Sequence, residues 1–104
     1  MRVQSQPPKN RKSDAYILDI DDRFIVRPTV AVLKKNDEFE IYNLSGLQAV
    51  VTFPDFPGET LTLQDREWGT ATVSGQGPYR YEVTVGGRRA HAESDPVIII
   101  DPGA

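Results

Sequence analysis

Apolar and polar residues alternate with a period of two along much of this 104-residue chain. The clearest stretch is 79–85, where Tyr79, Tyr81, Val83 and Val85 fall on one side and Arg80, Glu82 and Thr84 on the other. Residues 38–43 behave alike, with Phe39 and Ile41 opposite Glu38, Glu40 and Tyr42. Period two places alternate side chains on opposite faces of a strand, so both stretches predict half-buried strands. Shorter β-branched and aromatic runs at 16–20, 23–26, 29–33, 49–53, 61–63 and 69–73 add to the set. Residues 97–100 carry no polar interruption, which predicts a strand buried on both faces. Gly, Pro, Asn and Asp punctuate these runs, and no window has a helical period. About eight strands at this spacing predict an all-β sandwich or barrel.

One turn also predicts a register. Gly86 and Gly87 both tolerate positive φ, so they read as a two-residue hairpin. Pairing across it sets Val85 against Arg88, Val83 against Ala90 and Tyr81 against Ala92. The outer face then carries Arg80 opposite Glu93 and Glu82 opposite His91.

Charge changes the picture at one end. The net charge is −3, from 12 basic and 15 acidic residues. Arg2, Lys9, Arg11 and Lys12 all precede the first acidic residue, Asp14. Residues 1–14 therefore read as a flexible basic leader ahead of a single domain over 15–104, whose balance is 8 basic against 14 acidic. Four charges without aromatic residues make a poor nucleic-acid footprint, so no nucleic-acid partner is expected. No apolar run approaches a membrane span or a signal peptide. The expectation is a soluble, cytoplasmic protein, or one whose export leader has been removed. There is no cysteine, which excludes disulfides, thiolate metal sites and thiol catalysis together.

In order, these pieces resemble the cupredoxins. Residues 23–33, followed by Asn36-Asp37-Glu38-Phe39-Glu40-Ile41-Tyr42-Asn43, resemble that family's second and third strands, ending at its recurrent asparagine. Ala49-Val50-Val51-Thr52-Phe53 resembles the next strand. Gly77-Pro78-Tyr79-Arg80-Tyr81 resembles the strand that leads into the metal loop, and 95–101 resembles the closing strand. The resemblance implies a two-sheet Greek-key β-sandwich; an immunoglobulin-like sandwich explains the same alternation. It also implies where copper ligands would stand, and this chain lacks them. Gln48 and Ala49 occupy the region of the first imidazole, and Val83 the cysteine position. The tight Gly86-Gly87 turn replaces the loop of remaining ligands. The one histidine is His91 and the one methionine is Met1. A type-1 site needs two imidazoles and a thiolate, so none can form and no cofactor is expected.

Other chemistry is sparse. His91, Glu93 and Asp95 alternate, so a strand would place an imidazole and two carboxylates on one face, an acceptable donor set for zinc, manganese or iron. The same three residues fit a solvated face with cross-strand charge pairs. Asp19, Asp21 and Asp22 lack the glycine and downstream glutamate of a calcium loop. No serine sits in a nucleophile elbow, and Gly75 and Gly77 precede a strand rather than a helix. The best binding candidates are aromatic. Phe56 lies between two prolines in a turn, and Trp68 and Tyr42 accompany it as anchors for a partner or platforms for a sugar ring. Packed positions for Phe56 and Trp68 explain them as well. The reading is a non-enzymatic, copper-free module that recognises a protein through a sheet edge or the loops around Phe56. The alternatives are a carbohydrate-binding module and a small metal-dependent protein using His91. The sequence sets no oligomeric state.

Overall fold

The computed structural model describes residues 1–6, 13–34, 37–73, 78–92 and 96–101. Twelve strands and no helix make up the described residues: β1 Arg2–Gln6, β2 Ala15–Ile20, β3 Arg23–Arg27, β4 Val30–Lys34, β5 Glu38–Leu44, β6 Ala49–Thr52, β7 Thr60–Leu63, β8 Trp68–Thr72, β9 Tyr79–Arg80, β10 Glu82–Val85, β11 Arg88–Arg89 and β12 Val97–Asp101.

One sheet has the order β1-β8-β5-β2-β3. The other strands form two ladders, β11-β10-β6-β7 and β4-β12-β9. These two meet at Tyr81, between β9 and β10, whose N–H donates to the Pro96 carbonyl at 3.0 Å. Two pairings are parallel, β2 with β5 and β4 with β12; the others are antiparallel.

The alternation in the sequence maps onto the core. Phe39, Ile41, Tyr79, Tyr81, Val83 and Val85 are all buried, and one apolar cluster joins them to Ile17, Val26, Val51, Phe53, Leu61, Leu63 and Ile98. Burying each such side chain contributes roughly 1.5–3 kcal/mol, so the cluster is what holds the strands together. Tyr81 sits at its centre, 5.3 Å from the Phe39 ring and 6.2 Å from that of Phe53.

Turn chemistry follows the residues. Gly86 and Gly87 take φ of 55° and 81°, and Val85 pairs with Arg88 across them. Asp21 and Asp22 take φ of 53° and 64° in the tight connection between β2 and β3. Aspartate tolerates that left-handed region better than most side chains, which explains the acidic pair without a calcium ion.

Four expectations change. Residues 2–6 of the expected leader form β1, which pairs with β8 along the sheet edge, while residues 7–12 lie outside the described set. β12 is not buried on both faces: Ile98 and Ile100 point inward, while Ile99 is exposed. It lies between β4 and β9, and of its two faces only the one carrying Ile98 and Ile100 packs against the core. The hairpin register holds only as far as Ala90, whose N–H donates to the Val83 carbonyl at 2.8 Å. The chain then crosses to the other sheet, where His91 forms a bridge with Ile25. Glu82 consequently pairs with Arg89 at 3.1 Å instead of His91, and Arg80 pairs with Asp55 at 3.2 Å. The twelve strands exceed the expected eight because residues 2–6 add β1, the 79–85 run splits into β9 and β10 at Tyr81, and the hairpin return adds β11.

Candidate functional site

The end of the sandwich where the resemblance would put copper is built from β6, β10 and the Gly86-Gly87 turn. Val85 pairs with Ala49 and Val83 with Val51. Ala49, Val83 and Val85 are buried, and Gln48 is exposed. Gly86 donates to the Gln48 carbonyl at 3.4 Å, which closes the turn over the strand end. These positions present aliphatic carbon and one amide side chain. They hold neither imidazole nor thiolate, so the donor chemistry does not fit a type-1 copper ion.

Close by, Asn43 is fully buried at the end of β5. Its Nδ2 donates to the carbonyls of Leu47, Leu63 and Gln64 at 2.8, 3.0 and 3.1 Å. Its Oδ1 accepts from the N–H and the Oγ of Ser45 at 3.0 and 2.7 Å. A buried amide with every group engaged is a structural pin, since its polar atoms would otherwise be stranded away from water.

Chains of known structure share this fold. The copper(I) form of a methionine mutant of amicyanin superposes with a TM-score of 0.59 at 12% identity, covering 97% of this chain and 100% of that one. The oxidised state of a proline mutant of amicyanin gives 0.60 at 12% identity with the same coverage. The fold is that of the cupredoxins. No family model matches this sequence, and no curated protein matches it. The cupredoxin sandwich is thus present nearly end to end, in a chain without cysteine.

The aromatic candidates do not form one exposed surface. Tyr42 and Trp68 are cross-strand neighbours in β5 and β8, and each is only 8% exposed. Both lie outside the central cluster, and Tyr16 stacks beside Tyr42 at 6.5 Å. Neither ring offers an open platform for a sugar. Phe56 is half-buried and packs on the core, with its ring 5.9 Å from that of Tyr79. Its loop is tied by Phe56 N–H to the Phe53 carbonyl at 2.8 Å and Glu59 N–H to the Phe56 carbonyl at 2.9 Å. The two prolines hold the turn while Phe56 plugs the edge of the sandwich. His91 is exposed, whereas Glu93 and Asp95 lie outside the described residues. Among the described residues no three acidic, histidine or cysteine side chains gather as a metal site. The most deeply buried phenol of the core, Tyr81, has no hydrogen-bond partner for its hydroxyl among the described residues. Burial pushes its ionisation well above the ordinary range, so it stays a neutral, inert group.

What the sequence reading missed is apolar surface. Val30 and Val32 on β4 are 42% and 64% exposed, and Ile99 on β12 is 39% exposed. Val32 is paired with Ile99, and Val30 with Val97, so these side chains are contiguous. Within the β-branched run 29–33, Val30, Ala31, Val32 and Leu33 are apolar in succession and give no period, which hid the fact that only Ala31 and Leu33 face the core.

Proposed function

We propose that this chain is a non-enzymatic, copper-free cupredoxin-like module that recognises another protein along the outer edge formed by β4. The carrying observation is the exposed row of Val30, Val32 and the neighbouring Ile99, beside a β4 that among the described residues is paired on one side only. Val97 N–H donates to the Thr29 carbonyl at 3.0 Å, which sets the phase of the parallel ladder. Thr29, Ala31 and Leu33 therefore turn their peptide groups toward β12, and Val30, Val32 and Lys34 turn theirs away. The Lys34 carbonyl accepts from Asp37 at 3.1 Å, which ends the edge. Val30 and Val32 thus combine outward N–H and C=O groups with exposed aliphatic side chains. An added strand from a partner would satisfy the first and cover the second. The rest of the fold supports a non-enzymatic reading, because the chemistry at the copper end has been replaced by carbon.

The test compares the parent with Val32→Glu in cross-linked extracts of the host, read by quantitative mass spectrometry. The reading expects proteins held by the parent and lost with the variant. Identical sets from both would overturn it. In parallel, adding copper(II) to the purified chain is expected to give no intense visible charge-transfer band.

A further inference from the structure

A groove of about 820 Å³ lies along β3 and its connection to β4, beside His91 and Ala92. Its floor is apolar, from Ile25, Val30 and Ala92, and Tyr16 closes one side. Arg23 and Arg27 also line it, together with His91. β3 alternates, so Arg23, Ile25 and Arg27 point outward while Phe24 and Val26 enter the core. The bridge between Ile25 and His91 brings the imidazole alongside the middle of this row.

The arginines are the informative part. Both are exposed, and neither has an ion-pair or hydrogen-bond partner among the described residues. Other arginines are engaged: Arg80 with Asp55, Arg89 with Glu82, and Arg88 over the Phe24 ring at 4.8 Å. Asp21 and Asp22 adjoin Arg23 in the preceding turn, yet their side chains point to solvent and make no ion pair with it. In a chain of net charge −3, this groove holds two free guanidiniums around an apolar centre.

We propose that the groove docks an extended acidic segment of a partner protein, with acidic side chains four residues apart and an apolar one midway. This goes beyond the recognition reading at the β4 edge by assigning a second surface and the chemistry of what it takes. The spacing carries it. Positions four apart on one face of a strand lie ~13 Å from each other, because each residue rises ~3.3 Å. One carboxylate or phosphate cannot span that gap, whereas a second extended chain repeats it. Its two acids meet Arg23 and Arg27, each able to take a carboxylate bidentately. Its central side chain rests on Ile25, with the His91 ring beside it.

The probe is a fluorescein-labelled, end-capped peptide Glu-Thr-Val-Thr-Glu, titrated by anisotropy against the full chain at low salt. Binding is expected, weakening as salt rises. Arg23→Gln and Arg27→Gln are each expected to lower affinity at least about tenfold, as loss of a charged hydrogen-bonding partner does. Arg80→Gln, on the other layer, is expected to leave it unchanged. The Gln-Thr-Val-Thr-Gln peptide is expected not to bind. Equal affinity for parent and Arg27→Gln, or no binding to the parent, overturns the proposal. So does a free short dicarboxylate or a single-stranded oligonucleotide that binds as tightly as the peptide. Val32 does not line the groove, so Val32→Glu is expected to keep peptide binding. A failure at the β4 edge and a failure at the groove are therefore read separately.

Discussion

Ser45 Oγ donates to Asn43 Oδ1 at 2.7 Å, inside a pocket where Asn43 has no exposed surface. The hydroxyl and the Ser45 N–H occupy the acceptor end of the amide, and three carbonyls occupy its donor end. One side chain thereby ties β5 to the turn before β6 and to the end of β7.

Asn43→Ala is expected to destabilise the protein by about 2–4 kcal/mol, since it leaves several buried groups unpaired at once. Ser45→Ala removes one donor and is expected to cost about 1 kcal/mol. Urea denaturation followed by tryptophan fluorescence checks both. Equal midpoints for Asn43→Ala and the parent would show that the amide is not the pin.

Gly69 has no space for a side chain. A methyl group there would collide with the branched end of Leu61 across the core. Gly69→Ala is expected to destabilise by about 1–3 kcal/mol, the usual range for overpacking. The double variant with Leu61→Ala is expected to lose less than the two single losses added together, because the second change opens the space the first needs. Thermal melts of the four proteins test this coupling.

The Gly86-Gly87 turn makes a backbone prediction. Gly87 has open space around it but a φ of 81°, so only conformation opposes a side chain there. Gly87→Val is expected to cost about 1 kcal/mol or more, because a β-branched residue resists positive φ. Gly86→Val adds contact with Leu47, whose Cδ1 lies 3.4 Å from a built Cβ. It is expected to melt no higher than Gly87→Val.

Tyr81 predicts an alkaline limit. Its folded-state ionisation lies well above that of the unfolded chain, because burial opposes the phenolate. The sign follows from the linkage between protonation and folding. The neutral phenol's share of stability is fully present below the ordinary tyrosine range near pH ~10, and it is lost as pH rises above that value. Tyr81→Phe is expected to flatten the fall in melting temperature above pH ~10. At neutral pH it is expected to be neutral or stabilising, since it removes a buried hydroxyl with no partner among the described residues. Melting curves at pH 7 and 11 decide it; a steeper alkaline fall in the variant would contradict the argument.

The fold was legible because the stretches 38–43 and 79–85, which supply much of the core, alternate. Tyr79, Tyr81, Val83 and Val85 announced their face, and every one is buried. The missing copper site was legible because cysteine is absent. Strand partners were not. Nothing local in Arg88-Arg89-Ala90-His91 tells that the chain leaves β10 after Ala90 and joins β3, since that choice depends on the neighbouring layer. The exposed side of Val97–Asp101 was hidden for the same reason: four apolar residues in a row give no period from which to read a face. The groove was invisible because Arg23, Ile25 and Arg27 become neighbours of His91 only through that crossing.

The crossing at His91 also bears on how the protein comes apart. Phe24 accepts from the His91 N–H at 2.8 Å, and the His91 carbonyl accepts from Val26 at 2.9 Å. Two residues earlier the same segment is bonded to β10. One short length of backbone is thus stitched into both layers. A hairpin attached to a single sheet can peel off alone at little cost; this one cannot fray past Ala90 without releasing the edge of the opposite sheet. The amides of Val26, His91 and Ala90 should accordingly exchange with solvent together, in step with opening of the whole sandwich, and the two layers should lose their structure in a single event.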